Sequence, residues 1–461
     1  MHFRSINLAA RFSAIVAIIL PAAFAIYYVN TYSVDVPYYD EWLLVPMVNH
    51  WFNGTLTWQE LLKHHNEHII LVHKIIFLAN ASLANLNFRI EYFINLAFIV
   101  GIALVIFLHY RRSISDWHDP SLILLVLFPI SACLFSLRQH ESLIGFGLGA
   151  FSANFFFILS MFLLPHRGVL SVLSAAGAAG LSSLCLSNGL VAWPVGLIVL
   201  WLSKRGAERA WSITLWVAFA VFFVAVYLSD FHSGLSLRSL EFTQVILRML
   251  AAMGATVATA PEVIAADHGA LQSSIDMAIL SGSSLMIVSG VVLVKIIMCA
   301  RLRKSAFALS LILFGWGSAA MLAIGRLDPV GQALEPRYIS STIIAVVGLT
   351  LLIAELCDST EASAPSSPEM VPIFSGFWVR GLQSALAAIV VFANVTALVV
   401  EFRIGPQRRE YLQQWATHVL DYSTASDDDL RNPHFPPSEI REWAEILERH
   451  RLSVFQERHT N

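Results

Sequence analysis

Asp40 and Glu41 stand side by side about a dozen residues past the first long apolar run of a 461-residue chain. They sit in Val36-Pro37-Tyr38-Tyr39-Asp40-Glu41-Trp42. Aromatic neighbours withdraw a carboxylate from water, and a carboxylate so placed binds a proton more tightly and can act as a general base. The bland alternative is a helix N-terminus at which two acids complement the macrodipole. A second cluster, His64-His65-Asn66-Glu67-His68, packs three imidazoles and a carboxylate into five residues. If helical, it would put His64 and His68 on one face, but the HExxH order of zinc proteases is absent. His65, Asn66, Glu67 and His68 therefore fit a substrate-facing element able to hydrogen-bond sugar hydroxyls or a phosphate. No cofactor is required, although a divalent metal stays open, and polar residues at a membrane interface would look the same. Opposite charge comes from Arg138-Gln139-His140-Glu141, and from Gly325-Arg326-Leu327-Asp328 through Pro336-Arg337-Tyr338. An arginine at a span end often only snorkels. Three of them at comparable positions argue for anion binding, because guanidinium grips phosphate in bidentate fashion.

These residues need a scaffold, and composition indicates a bilayer. The chain is 57% hydrophobic and 13% charged, against roughly 25% charged in soluble domains, with mean hydropathy +0.66. A helix needs about 17 to 25 apolar residues to cross the hydrocarbon with its backbone satisfied internally. Eleven runs qualify: 12–29, 89–110, 120–137, 144–164, 169–187, 189–203, 211–229, 275–299, 305–324, 338–356 and 378–400. The expected fold is an all-α polytopic transmembrane bundle. The first run resembles a signal peptide, with Ala23-Phe24-Ala25 as a small-x-small site. Ten further runs favour an uncleaved anchor.

Lysine and arginine collect in cytoplasmic loops. Arg4 and Arg11, Arg111-Arg112, His166-Arg167, Lys204-Arg205-Arg209 and Arg301-Arg303-Lys304 all fall on one side by the parity of the spans. The other, extracytoplasmic side then receives 30–88, Arg138 to Glu141, Ser187-Asn188-Gly189, 230–274, Gly325 to Tyr338 and the tail from Glu401. The N-terminus would be cytoplasmic and the C-terminus extracytoplasmic, in an inner (cytoplasmic) membrane. One span too many or too few would break this arrangement. Cys133, Cys185, Cys299 and Cys357 lie in or beside different spans without disulfide or zinc spacing. Net charge −3 offers no basic field for nucleic acid.

The loop 30–88 is too long for a plain connector. Trp42, Val45, Val48 and Phe52 recur at helical spacing, which predicts an interfacial amphipathic helix ended by Asn53-Gly54. Residues 69–84 predict a second, kept at the surface because His73 and Lys74 interrupt it. Domain organisation is read as a membrane part, 1–400, and a soluble-like tail, 401–461. The tail predicts helices at Gln407 to Leu420 and Pro437 to His450. At about 60 residues it is too small for much of a core, so it either packs on the extracytoplasmic loops or serves as a solubilising appendage. Residues 359–371, rich in Ser, Pro, Ala and Glu, read as a cytoplasmic linker.

An acid just after span one, two interfacial helices in that loop, many spans and an extracytoplasmic C-terminal part together resemble the GT-C class of membrane glycosyltransferases. That class includes protein O-mannosyltransferases and lipid A aminoarabinose transferases. The chain is also similar to a group of bacterial membrane proteins sharing HNEH, a Q-x-E hairpin, NGL-x-x-WP and GR…RY. Here these are His65-Asn66-Glu67-His68, Gln139-His140-Glu141, Asn188-Gly189-Leu190 with Trp193-Pro194, and Gly325-Arg326 with Arg337-Tyr338. The resemblance implies sugar transfer from a polyprenyl-phosphate donor to a glycan or lipid acceptor of the cell envelope, with membrane lipids as surroundings. Asp40, or failing it Glu41, would be the catalytic base. The HNEH residues, Arg138, His140, Glu141, Asn188, Arg326, Arg337 and Tyr338 would bind substrate. The acid here is Asp-Glu followed by Trp, without the further acidic residue of some members, so metal dependence is left open. No DxD motif or soluble Rossmann-like half is present, as a lipid-linked donor allows. Two rivals share parts of this pattern: a glycan polymerase or ligase, and a transporter or flippase of lipid-linked sugars. No internal repeat favours the latter.

Overall fold

The computed structural model describes residues 8–229, 241–258, 268–325, 330–362 and 376–456, and these are all-helical apart from turns and one isolated bridge. In chain order the helices are α1 Leu8–Tyr32, α2 Val45–Phe52, α3 Trp58–Leu62, α4 Leu71–Ala84, α5 Phe88–Ser113 and the broken span α6 Pro120–Leu143. They continue with α7 Leu148–Leu163, α8 Val169–Cys185, α9 Ala192–Ser203, α10 Gly206–Leu228, α11 Phe242–Gly254 and α12 His268–Met298. The last four are α13 Ala306–Gly325, α14 Pro336–Ala362, α15 Gly376–Leu420 and α16 Pro437–Arg449.

Eight of these helices are long and apolar enough to cross a membrane. The expected spans 144–164, 169–187 and 189–203 fall on the shorter apolar helices α7, α8 and α9, of 16, 17 and 12 residues. At about 1.5 Å per residue these run roughly 18 to 26 Å, short of a full hydrocarbon thickness. α8 and α9 are separate elements, divided by a 3-10 turn at Ser187–Val191. Gly189 permits that turn, since a Cβ there would stand 2.0 Å from the Ser182 carbonyl oxygen.

Apolar residues all round a helix serve two ends, facing lipid or filling a core, and the bundle uses both. The apolar stretch of α14 is wholly buried in protein, making it the central pillar, whereas most of the apolar stretches of α10 and α12 face outward. Close crossings use small residues, as membrane bundles do. A Cβ on Gly254 of α11 would stand 1.7 Å from the Ala278 carbonyl, and one on Gly282 of α12 would stand 1.9 Å from that of Leu250. α11 lies within the stretch 230–274 that the sequence reading treated as a loop.

The basic loops meet at one end of the bundle. Arg112 lies 3.1 Å from His166, Lys204 donates to the His166 carbonyl, and Lys304 pairs with Asp358 at 3.4 Å. Of the expected linker 359–371, residues 359–362 continue α14 and the rest lie outside the described residues.

The other end is built on the first loop and the tail. The segment Glu41 to Phe52 is a 3-10 turn, Tyr39–Leu44, running into α2, which Asn53 closes before Gly54 at φ +68°. α4 is helical as expected, but His73 and Lys74 are buried with partners and do not mark a surface. Lys74 Nζ donates to the carbonyls of Glu60, Leu61 and Lys63, closing the end of α3, and His73 lies 3.3 Å from Glu91. Residues 407–420 are not a separate helix. They continue α15 without a break through Pro406, so the tail is rigidly joined to the last apolar segment. α16 folds back onto the first loop: Trp443 stacks on Trp42 at 6.2 Å, Trp415 meets the same ring edge-on, and His450 Nε2 lies 3.0 Å from Asn49 Oδ1.

Candidate functional site

Between the first loop and the central pillar lies a cavity of about 220 Å³. Its wall brings together Asp40, the whole turn His65-Asn66-Glu67-His68, Ser187-Asn188, Gly325, and Arg337-Tyr338 from the start of α14. Residues distant in the chain meet here because the tips of several helices converge at this end.

Local backbone explains the presentation of each group. His65 and His68 exchange backbone hydrogen bonds, N–H to O at 2.6 and 3.0 Å, so HNEH is a tight reverse turn. The expected helical face shared by His64 and His68 does not exist. Asn66 at the tip takes φ +53°, with Tyr39 at +44° and Ile70 at +49° nearby. For Tyr and Ile such a backbone is a costly outlier held in place by its surroundings, and such strain concentrates at functional sites. The turn is strapped on two sides, since Tyr227 Oη donates to the Glu67 carbonyl and the Ser187 N–H donates to His68 Nδ1 at 3.3 Å.

His65 is buried and stacked on Phe146 at 5.2 Å, with Nε2 4.0 Å from Asp40 Oδ2. That exceeds a hydrogen bond. Burial holds the His65 imidazole down at about 3, so the ring is neutral around neutral pH. Asp40 keeps 37% of its side chain exposed. Arg337, 42% exposed, pairs with Glu335 and has its guanidinium 5.3 Å from the centre of the Tyr338 ring, with Glu141 as a further acidic neighbour.

Other sequence candidates lie behind this wall. Glu41 is 1% exposed and accepts the Tyr38 N–H at 2.6 Å, capping its own turn. Burial, reinforced by Glu91, pushes its carboxyl well above the ordinary range. Arg138 is buried and donates through Nε to the Ala255 carbonyl at 3.1 Å, toward α11 and away from the cavity. His140 lies 3.1 Å from Glu401 and does not line the cavity. Glu401 also accepts from Tyr28 Oη at 2.9 Å and Arg408 at 2.7 Å, tying α15 to α1 and the α6 hairpin. Arg326 lies outside the described residues, directly after the cavity residue Gly325. Among the described residues no three His, Cys, Asp or Glu side chains group closely enough to hold a metal ion.

Ser142, Phe146, Ser318, Met321, Leu322, Ser341 and Thr342 also line the wall, with Gly149, Ala150 and Leu186, and none of them stands out by itself in the sequence. Serines inside apolar spans are common and give no signal singly. The run Ser340-Ser341-Thr342 one turn after Arg337-Tyr338 was the visible hint. The wall is amphipathic: charged and polar groups from the first loop and α14 face Met321, Leu322, Leu186 and Ala150. No known protein family, characterised protein or solved structure matches the chain.

Proposed function

We propose that the protein is a membrane glycosyltransferase of GT-C type that moves a sugar from a polyprenyl-phosphate donor to a hydroxyl of a cell-envelope glycan or lipid. One observation carries the reading: a single cavity at the end of an apolar helical bundle joins an accessible carboxylate, Asp40, to an arginine, Arg337, across a polar turn and an apolar wall. Asp40 takes the proton of the acceptor hydroxyl as the acceptor oxygen bonds to the anomeric carbon. The bond from that carbon to the phosphate oxygen breaks in the same displacement, through an oxocarbenium-like state, and the phosphate leaves with the electron pair. Configuration inverts. Arg337 stabilises the charge that grows on the departing phosphate, and it exchanges Glu335 for that phosphate when donor binds. Asp40 holds the base role alone in this scheme, since Glu41 is committed to the Tyr38 N–H. Arg138 is likewise committed, to the Ala255 carbonyl.

The cavity end is extracytoplasmic in this reading and the basic end cytoplasmic, in an inner membrane. Reporter fusions at Thr55 and Gly206 should report opposite sides, and fusions at Thr55 and Asn461 the same side. The activity test is turnover of short-chain polyprenyl-phosphate sugars by the protein in lipid nanodiscs, with the anomeric configuration of the product read by NMR. Inverted product supports the reading. Retained configuration, or turnover of nucleotide sugars alone, overturns it.

A further inference from the structure

The floor of the cavity carries a hydrogen-bond relay whose direction is fixed. The Ser340 carbonyl can only accept, so Asn154 must turn its amide nitrogen toward it, and Asn154 Nδ2 donates there at 2.7 Å. Asn154 Oδ1 is then an acceptor, and Ser341 Oγ donates to it at 3.1 Å. With its proton so used, Ser341 Oγ accepts from its other neighbour, Asn188 Nδ2, at 2.6 Å. Asn188 Nδ2 also reaches Ser318 Oγ at 3.4 Å. The amide of Asn188 is thereby locked with its nitrogen on the serines. Its oxygen, Oδ1, is left without a hydrogen-bond partner although the residue is only 7% exposed and forms part of the cavity wall. Buried amide oxygens are nearly always answered by a donor.

We infer that Asn188 Oδ1 is a sugar-recognition point, an acceptor preset by the Ser340–Asn154–Ser341 relay for a hydroxyl of the donor's sugar. The inference rests on the transferase reading for the identity of the ligand and deepens it. The groups that hold the Asn188 amide, Ser341 and Ser318, are neutral, so the part of the sugar seated there is an uncharged hydroxyl-bearing edge. The charged groups, Asp40 and Arg337, belong to other parts of the same wall and serve the reacting carbon and the phosphate. Asn188 acts on selectivity between a sugar-bearing and a bare lipid phosphate, and the bare lipid phosphate has no group for it.

The test measures binding to the full chain in nanodiscs of two probes, a short-chain polyprenyl phosphate and the same lipid carrying a hexose, for wild type, Asn188→Ala, Asn188→Asp and Ser341→Ala. Wild type should prefer the sugar-bearing probe. Asn188→Ala should lose that preference by about ten- to a hundredfold, the scale of one buried hydrogen bond, while its affinity for the bare lipid phosphate stays unchanged and certifies the fold. Asn188→Asp sets an acceptor where Ser341 Oγ receives the amide hydrogen, which breaks the relay, and it should lose the preference as Asn188→Ala does. Ser341→Ala frees the amide to turn and should lose part of it. Removing sugar hydroxyls one at a time should expose one position whose loss weakens wild type but not Asn188→Ala. If Asn188→Ala keeps the preference for the sugar-bearing probe, the recognition point is overturned and the transferase reading survives. If wild type binds neither probe, both fall.

Discussion

Asp40 and Glu41 are chemically alike and adjacent, yet one faces the cavity with 37% of its side chain exposed while the other is 1% exposed and caps the backbone of its own turn. The 3-10 geometry of Tyr39–Leu44, with about three residues per turn, rotates successive side chains by roughly 120°. One step along the chain therefore separates a solvated wall from a protein interior. The same division runs through the whole first loop. A front layer, Asp40 and the HNEH turn, lines the cavity, and a back layer of Asp35, Glu41 and Glu91 receives backbone and side-chain donors. Carboxylates in the front layer are available for chemistry, whereas those behind hold the loop against α5 and the tail.

The sharpest way to break this comparison is to neutralise each neighbour in turn. Asp40→Asn should abolish transfer while expression and thermal stability hold, because the isostere keeps shape and loses basicity. Glu41→Gln keeps an oxygen for the Tyr38 N–H and should turn over near the wild-type rate. Turnover per folded protein, measured for both, decides the matter. An active Asp40→Asn beside a dead Glu41→Gln would invert the two layers.

The arginines allow the same contrast at the next scale. Arg337→Ala should reduce turnover by about 10²–10³, the usual loss for one group that stabilises developing charge, and Lys should recover only part of it. Arg138→Ala should instead lower folded yield, since it strips a buried donor from the Ala255 carbonyl. Equal behaviour of the two positions in turnover per folded molecule would remove the distinction between cavity and interior.

Much of this was legible from the sequence, for identifiable reasons. Apolar runs near twenty residues mark helices whatever their neighbours, and the basic loops that span parity assigns to one side meet at one end. The short elements were harder. Lys74 and His73 read in the sequence as surface residues, but charge in a helix is compatible with burial when carbonyls and a carboxylate lie within reach, and those partners come from the end of α3 and from α5. HNEH became a turn because Asn tolerates positive φ, a choice that helical spacing hides. The sequence predicts a helix beginning at Gln407, yet α15 runs through Pro406. The fate of Arg138 is illegible in the sequence, since its acceptor is the Ala255 carbonyl just after α11, more than a hundred residues away. Which of two adjacent acids would face the cavity depended on the pitch of one turn.

Glu401 tests the interior from the far side of the site. Its carboxylate is buried and shared by Tyr28, Arg408 and His140, joining α15 to α1 and the α6 hairpin. Breaking a buried ion pair from one side typically costs about 3–5 kcal/mol. Glu401→Ala should fall in that range in chemical or thermal unfolding, and Glu401→Gln, which keeps the shape and one acceptor, should lose less. Transfer per folded molecule should be unchanged in both, because neither residue reaches the cavity. A loss of turnover at unchanged stability would place the network in the reaction.

The smallest effect belongs to Asp35, where the back layer meets the tail. Its carboxyl accepts the Phe88 N–H at 2.9 Å and stands 3.5 Å from Ser453 Oγ and 3.4 Å from Gln456 Nε2. Burial pushes it up to about 6 from 3.8, against the lowering by those hydrogen bonds. The folded state therefore holds a proton that the unfolded chain releases between about pH 4 and 6, so this group's contribution to stability is greatest below pH 4 and is lost as pH rises through 6. His65 works in the opposite sense. Its folded value near 3 lies below the ordinary 6.5, so its contribution is present above pH 6.5 and is lost as pH falls toward 3. The two slopes oppose each other between pH 4 and 6. Asp35→Asn removes one of them, so the variant's stability should climb relative to wild type by about 2 kcal/mol across that window. Unfolding midpoints of the two proteins at pH 4, 5 and 6 measure it, and parallel profiles would show that the carboxyl of Asp35 titrates alike in the folded and unfolded chain.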